Sequence, residues 1–183
     1  MTVFEQKQVL ESMVILVDTR EQKTSRAEKR YARFGCPYRR TALSYGDYAY
    51  NCQLPSGEWL YDEKKTISCR AVVERKMNLD ELAACLGRER ARFEREFIRA
   101  QEAGARIFLL VENANWENLI SGKYRSKLNP KAFLASVAAW TIRYDLNLIF
   151  CKEDTSGVLI KEILYRDLKE RLERGELDDT GRD

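Results

Sequence analysis

The sequence predicts an α/β protein in which a mixed central sheet carries helices on both faces. Three observations lead there. Met13–Val17, Ala71–Lys76, Ile107–Val111 and Leu148–Cys151 are short runs with the length and apolar content of buried strands. Longer stretches with helical spacing lie between the later runs, and strand–helix–strand alternation calls for parallel strands at the sheet centre. The composition, 44% hydrophobic and 33% charged over 183 residues, supports one folded domain with a sizeable core.

Taken in order, residues 1–12 read as a polar leader, 13–172 as the folded domain and 173–183 as a polar, frayed tail. After the first strand, Thr24–Phe34 is a basic helix or loop ended by Gly35-Cys-Pro37. Arg39–Leu43 and Tyr48–Leu54 are strand-like, and Pro55-Ser-Gly57 is a turn signal that predicts a hairpin between Tyr48–Leu54 and Trp59–Glu63. Leu82, Leu86, Phe93 and Phe97 fall on one helical stripe, predicting a helix from Leu79 to about Ala103 with Gly104 as its stop. Trp116–Ile120 and the loop Gly122–Lys127 precede Asn129-Pro130, a helix start with proline in the first turn. Phe133–Tyr144 is apolar helix, with Leu134, Val137, Trp140 and Tyr144 as core or dimer surface. A last helix runs from Thr155-Ser-Gly157 to Leu172.

Composition excludes several chemistries. The chain has no histidine, so no Ser-His or Cys-His triad and no His-ligated zinc or iron site can form. Its five cysteines stand singly without a C-x-x-C pair, as expected of reduced, packed thiols. No apolar stretch reaches membrane-spanning length and the N-terminus lacks a signal-peptide core, so a cytoplasmic protein without a membrane partner is expected. A net charge of +3 says little, but its distribution says more. Arg26, Lys29, Arg30, Arg33, Arg39 and Arg40 precede Asp47, and Arg88, Arg90, Arg92, Arg95 and Arg99 follow Asp80. Basic ground around an acidic centre suits a phosphate-backbone binder; a solvated helix laced with Glu–Arg pairs accounts equally for the second group.

The acidic centre sits where apolar strands end. Val72-Val73 runs directly into Glu74-Arg75-Lys76, with Asp80 four residues on; Val14–Val17 runs into Asp18-Thr-Arg20-Glu21; and Gly46-Asp47 precedes Tyr48. Strand alternation puts Glu74 and Lys76 on one face and Arg75 on the other. Asp80, near the next helix start, can fold back to the same end of the sheet. If the hairpin is adjacent, Asp47 converges with Glu74. Two carboxylates about 4 Å apart repel by roughly 4 kcal/mol at an effective dielectric of 20, and a hard divalent cation reverses that sign. The spacing therefore suits a Mg²⁺ site acting on a phosphodiester, with Lys76 orienting or deprotonating the attacking water and neutralising a phosphate oxygen. Each motif alone reads equally well as a charged strand end or helix cap.

Together the motifs resemble the XPF-type nucleases. The matching elements are Val17-Asp18-Thr19-Arg20-Glu21, Leu43-Ser-Tyr-Gly46-Asp47 and Val73-Glu74-Arg75-Lys76-Met-Asn-Leu-Asp80, followed by Gly87-Arg88-Glu-Arg90 and Phe108-Leu-Leu-Val-Glu112. The resemblance implies a restriction-endonuclease-like fold and Mg²⁺- or Mn²⁺-dependent cleavage of branched, forked or flapped DNA in recombination or repair. It implies metal ligation by Asp47 and Glu74, with Asp18 and Glu21 contributing to that site or to a second ion. Lys76 would be the catalytic lysine and Arg75 and Asp80 essential supports. Arg20 would organise the acids, and Arg88 or Arg90 would contact phosphate. Lys123, Arg125 and Lys127, beside Tyr124, suit strand contacts.

Family members commonly dimerise, which makes the last two helices the expected homodimer interface. They also commonly carry helix-hairpin-helix DNA-binding modules, which a separate partner could supply here. The competing expectation is a non-catalytic DNA-binding scaffold on the same fold.

Overall fold

The computed structural model describes residues 1–178. The chain forms α1 (Val3–Glu11), β1 (Val14–Asp18), α2 (Ser25–Tyr31), β2 (Tyr38–Thr41), β3 (Tyr48–Asn51), β4 (Ala71–Lys76), α3 (Leu79–Leu86), α4 (Arg90–Glu102), β5 (Arg106–Glu112), α5 (Trp116–Ile120), α6 (Pro130–Tyr144), β6 (Leu146–Cys151) and α7 (Glu153–Glu173). The six strands form one sheet in the order β2-β1-β3-β4-β5-β6. Strand β3 runs antiparallel to both β1 and β4, while β1–β2, β4–β5 and β5–β6 are parallel. The carboxyl ends of β1, β2, β4, β5 and β6 therefore share one end of the sheet with the start of β3. Every acid-bearing strand end found in the sequence lies at that end.

Strand alternation divides the core in two. Leu16, Ala49, Val72, Leu109 and Val111 face α3, α4 and α6. Ile15, Val17, Tyr48, Tyr50, Val73 and Leu110 face α1, α2 and α7. On the first side Phe93, Phe97 and Trp140 join rings, with centroids 5.1 Å (Phe93–Phe97), 5.9 Å (Phe93–Trp140) and 5.5 Å (Phe97–Trp140) apart. Such pairs contribute about 0.5–1.5 kcal/mol each beyond area burial. Val137, Trp140 and Tyr144 are thus core residues of α6.

Four local outcomes differ from the sequence expectation. Residues 3–11 are a capped helix rather than a leader: the Thr2 hydroxyl accepts from the Glu5 amide, the Glu5 carboxylate accepts from the Thr2 amide, and Val9 is buried. At the other end Leu177 is buried and Asp178 accepts from the Met1 ammonium at 2.7 Å; residues 179–183 of the expected frayed tail lie outside the described residues. The expected helix from Leu79 to Ala103 breaks at Gly87, whose φ −101°, ψ −107° is not helical, and restarts at Arg90. The apolar stripe continues across the break, which is why periodicity did not reveal it.

The expected hairpin closes its turn, with Leu54 N–H donating to Glu58 and an isolated bridge from Gln53 to Trp59, but Trp59–Glu63 forms no strand. Strand β3 pairs with β4 only at Tyr48–Val73, and the return arm meets the chain just past the end of β3, where Leu60 N–H donates to the Cys52 carbonyl and the ladder stops. Instead the Asn51 side chain takes over, donating to the Tyr61 carbonyl and accepting from the Tyr61 amide, both at 3.0 Å.

Candidate active site

The edge shared by the strand ends opens into a cleft of about 840 Å³, floored by Asp47, Glu74 and Lys76. Asp47 is placed entirely by main-chain bonds. Its N–H donates to Val73 O (2.9 Å), its carbonyl accepts from Asp18 N–H (2.8 Å), and its Oδ2 accepts from Arg75 N–H (2.8 Å). The turn before it depends on Gly46, at φ +75°, where a Cβ would lie 2.7 Å from Val72 Cβ. A left-handed residue with no room for a side chain must be glycine.

Glu74 and Lys76 project from β4 on the side that faces α4. Lys76 Nζ donates to Glu74 Oε1 at 2.6 Å and sits 4.4 Å from the centroid of the Phe93 ring. Burial, then the charge of Asp47, pushes the Glu74 carboxyl up to about 8 from 4.5. Burial also pushes Asp47 up to about 6 from 3.8, against the pull of Lys76. Burial opposes charge on Lys76, but Glu74 and Asp47 outweigh it and hold the ammonium protonated. Two enclosed acids share one lysine, which cannot neutralise both, so Glu74 keeps its proton at neutral pH.

A third carboxylate was not found in the sequence. Glu96, on α4, accepts from the Gly46 amide at 3.2 Å, lies 3.7 Å from Arg20 Nη2, and pushes the Glu74 carboxyl up further. It looked like another acid of a Glu–Arg helix. Its signal was position: Glu96 follows Phe93 by three residues and precedes Phe97, on the buried stripe of α4.

Arg75 turns to the opposite face, as alternation predicts, into an ion network behind the site. Its Nη1 lies 3.1 Å from Glu112 Oε2 and its Nη2 3.3 Å from Glu21 Oε1. Arg30 completes the ring, 3.1 Å from Glu112 Oε1 and 3.3 Å from Glu21 Oε1, while the Tyr48 hydroxyl donates to Glu21 at 2.8 Å. Two guanidiniums balance two carboxylates. Burial works against charge on Arg75, but Glu21, Tyr48 and Glu112 together raise its pKa. The network joins the start of β3 (Tyr48) and the ends of β4 (Arg75) and β5 (Glu112), beside Asp47, Glu74 and Lys76.

Other expected residues stand elsewhere. Asp18 is buried and occupied: Oδ1 binds Arg20 Nε (2.6 Å) and Oδ2 accepts from Leu43 N–H (2.7 Å). Glu21 lines the cleft but is engaged by Arg30, Arg75 and Tyr48. Asp80 stands apart from the carboxylates. It accepts from the Arg125 and Ser126 amides, both at 2.7 Å, and lies 3.3 Å from Arg125 Nε. Desolvation is the largest single influence and opposes its charge, but the Ser126 and Arg125 donors together outweigh it, so its pKa is lowered.

Asp80 thus anchors the loop bearing Lys123, Arg125 and Lys127, none of which lines the cleft. Arg88 and Arg90 also lie outside it, paired with Glu89 and Glu94. The exposed cations that do rim the cleft are Arg20, Arg26 and, from α4, Arg92, Arg95 and Arg99. Among the described residues no group of three or more His, Cys, Asp or Glu side chains is close enough to hold a metal ion.

A lysine and an acid at the carboxyl end of β4, a second acid at the start of the antiparallel β3 and a cationic rim above them accompany a family match that places the chain among XPF-type nuclease domains. The chain belongs to the ERCC4 domain family, whose model matches residues 17–162. Two solved structures share the fold. XPF from Aeropyrum pernix is 19% identical with a TM-score of 0.59, over 90% of this chain and 69% of that one. XPF from Aeropyrum pernix in complex with DNA is 21% identical with a TM-score of 0.58, over 87% of this chain and 66% of that one. No curated protein matches the chain by sequence. No helix among the described residues is long and apolar enough to cross a membrane.

Proposed function

We propose that this domain is a metal-dependent DNA endonuclease that hydrolyses phosphodiester bonds at branched, forked or flapped DNA. The observation that carries the reading is the enclosure of two acids, Asp47 and Glu74, around a single lysine that cannot satisfy both, so that Glu74 is pushed up to about 8, in a cleft lined by arginines. The donor set fits Mg²⁺ or Mn²⁺. Mg²⁺ is typically held by one or two carboxylates together with waters and substrate phosphate, and need not have an all-protein cage. Asp47 and Glu74 would hold the ion, and Asp18 and Glu21, tied to arginines, would support them. When bound, the ion would supply an acidified water and stabilise charge on the phosphorane-like transition state.

The chain's own residues set the geometry. The Arg75 amide fixes Asp47 Oδ2 in a side chain that lines the cleft. Glu74 and Asp47 hold Lys76 protonated in the metal-free site, and in that form it would orient water and neutralise a phosphate oxygen. Arg20, Arg26, Arg92, Arg95 and Arg99 are placed to hold the sugar–phosphate backbone over the acids. The Aeropyrum structure in complex with DNA supports a nucleic-acid ligand. A homodimer through the last two helices, a role in repair or recombination, and a separate DNA-binding partner belong to the same proposal.

The test offers labelled flap, fork, Holliday junction, single-stranded and plain duplex DNA with Mg²⁺ or Mn²⁺. Metal-dependent cleavage with a preference for a branched substrate is expected. Binding without cleavage of any substrate would instead favour a scaffold.

A further inference from the structure

Beside the cleft lies a second cavity of about 790 Å³, walled by α2, the turn after β5 and the first turn of α7. The two hollows adjoin, because Arg26 and Arg30 line both. Five cations line the second one, Arg26, Lys29, Arg30, Arg33 and Lys152, against two acids, Glu153 and Asp154. Three of the cations have partners. Arg30 is held by Glu112 and Glu21, Arg26 lies 3.4 Å from Glu153, and Arg33 donates to the Asp154 carbonyl oxygen. The exposed side chains of Lys29 and Lys152 have no ion-pair or hydrogen-bond partner among the described residues.

The walls are fixed. At Gly157 α7 crosses α2 so closely that a Cβ would overlap the Arg30 carbonyl oxygen and lie 3.0 Å from Arg33 Cβ. The cavity is therefore preformed, net positive, and next to the cleft that holds the acids. The ion network accounts for Arg30, but nothing in the site already described uses Lys29 or Lys152.

We propose that this cavity is a second nucleic-acid site. It takes the sugar–phosphate backbone of a further strand or arm of the DNA whose scissile strand lies in the cleft. Lys29 and Lys152 neutralise its phosphates, and Asn113 and Asn115 face it as hydrogen-bonding amides. The inference rests on the nuclease reading and sharpens it. A strand that departs from the duplex path beyond Arg26 and Arg30 enters the cavity, whereas a plain duplex over the acids does not need it. The domain thus recognises a branch with its own surface.

The test is the double variant Lys29→Glu/Lys152→Glu, with Lys29→Arg/Lys152→Arg as the charge-preserving control. Affinity for a fork and for a plain duplex of equal length is read by fluorescence anisotropy without Mg²⁺ across a salt series. The reversed variant should lose about tenfold in the fork-over-duplex affinity ratio, and its log–log salt slope on the fork should be shallower by about 1.5, near two phosphate contacts. The control should keep the wild-type ratio. An unchanged ratio in the reversed variant, or an equal loss in the control, overturns the proposal. Wild-type cleavage of both DNAs with Mg²⁺ is measured in parallel. A wild-type protein that cuts DNA while the reversed variant keeps its ratio sinks the cavity alone. A wild-type protein that cuts neither sinks the nuclease reading, and the cavity's role with it.

Discussion

Gly46→Ala should damage both the stability of the domain and its active site, and the structure separates the causes. The residue has φ +75°, and the left-handed region costs a residue with a Cβ about 1–2 kcal/mol. The new Cβ would also stand 2.7 Å from Val72 Cβ, an atom fixed to a buried strand that cannot rotate away. Overpacking of this kind costs about 1–3 kcal/mol. The sum, about 2–5 kcal/mol, corresponds to a Tm lowered by roughly 5–15 °C in a domain of this size. Relief requires Gly46 and Val73 to move, and Asp47 is held between them, so a misplacement near 1 Å should cost about 100-fold in cleavage rate.

A double-mutant cycle with Val72→Gly, followed by urea denaturation, isolates the clash. Val72→Gly alone is destabilising, but Gly46→Ala should cost about 1–3 kcal/mol less in its presence, leaving the backbone penalty. A Gly46→Ala protein within about 0.5 kcal/mol of wild type, or one that loses the same amount in both backgrounds, would refute the reasoning.

Three further outcomes are expected. The raised Glu74 carboxyl means that the native state keeps a proton the unfolded chain releases above about 4.5. Its stabilising contribution is present below 4.5 and is lost as pH rises through about 8, so the metal-free protein should melt lower at pH 9 than at pH 5. Glu74→Gln should flatten that limb, and parallel curves for the two proteins would contradict the assignment. Arg30→Met, which leaves Glu21 and Glu112 with Arg75 alone, should destabilise by about 3–5 kcal/mol in thermal or urea unfolding; a change under 1 kcal/mol would show that the network is not a strut. Asp80→Ala should make the 122–128 loop more open to limited proteolysis while changing the single-turnover cleavage rate less than about tenfold, since Asp80 bonds that loop and not the cleft. A loss as deep as that of Asp47→Asn would return Asp80 to the reacting groups.

Some of this was legible in the sequence because it follows from period and strand ends. Val72-Val73 leading into Glu74-Arg75-Lys76 fixes which charges share a face, and the structure keeps that division, with Lys76 on Glu74 and Arg75 on Glu21 and Glu112. The strand–helix alternation likewise forced parallel pairing of β4, β5 and β6. Two-body information was not legible. Nothing in Asp80 announces that its partners are amides 45 and 46 residues away, and Glu96 is one acid in an Arg- and Glu-rich helix until α4 is laid against Gly46. The hairpin shortened for a similar reason: its turn signal is local, but how far the return arm pairs depends on the Asn51 side chain, which takes both main-chain groups of Tyr61. The 52–70 segment is held by side chains, as Asn51 shows with Tyr61, and periodicity does not report such bonds.

The central claim is that Asp47 and Lys76 perform chemistry rather than hold DNA. The most direct measurement is the single-turnover cleavage rate of Asp47→Asn and Lys76→Ala at saturating branched DNA with Mg²⁺, with the Kd of each measured alongside. Both variants should lose at least about 1,000-fold in rate, as expected when metal-ion and charge-stabilising groups are removed, while Kd stays within about threefold because the arginine rim is intact. Cleavage near the wild-type rate by both variants, or a loss explained wholly by weaker binding, would contradict the account.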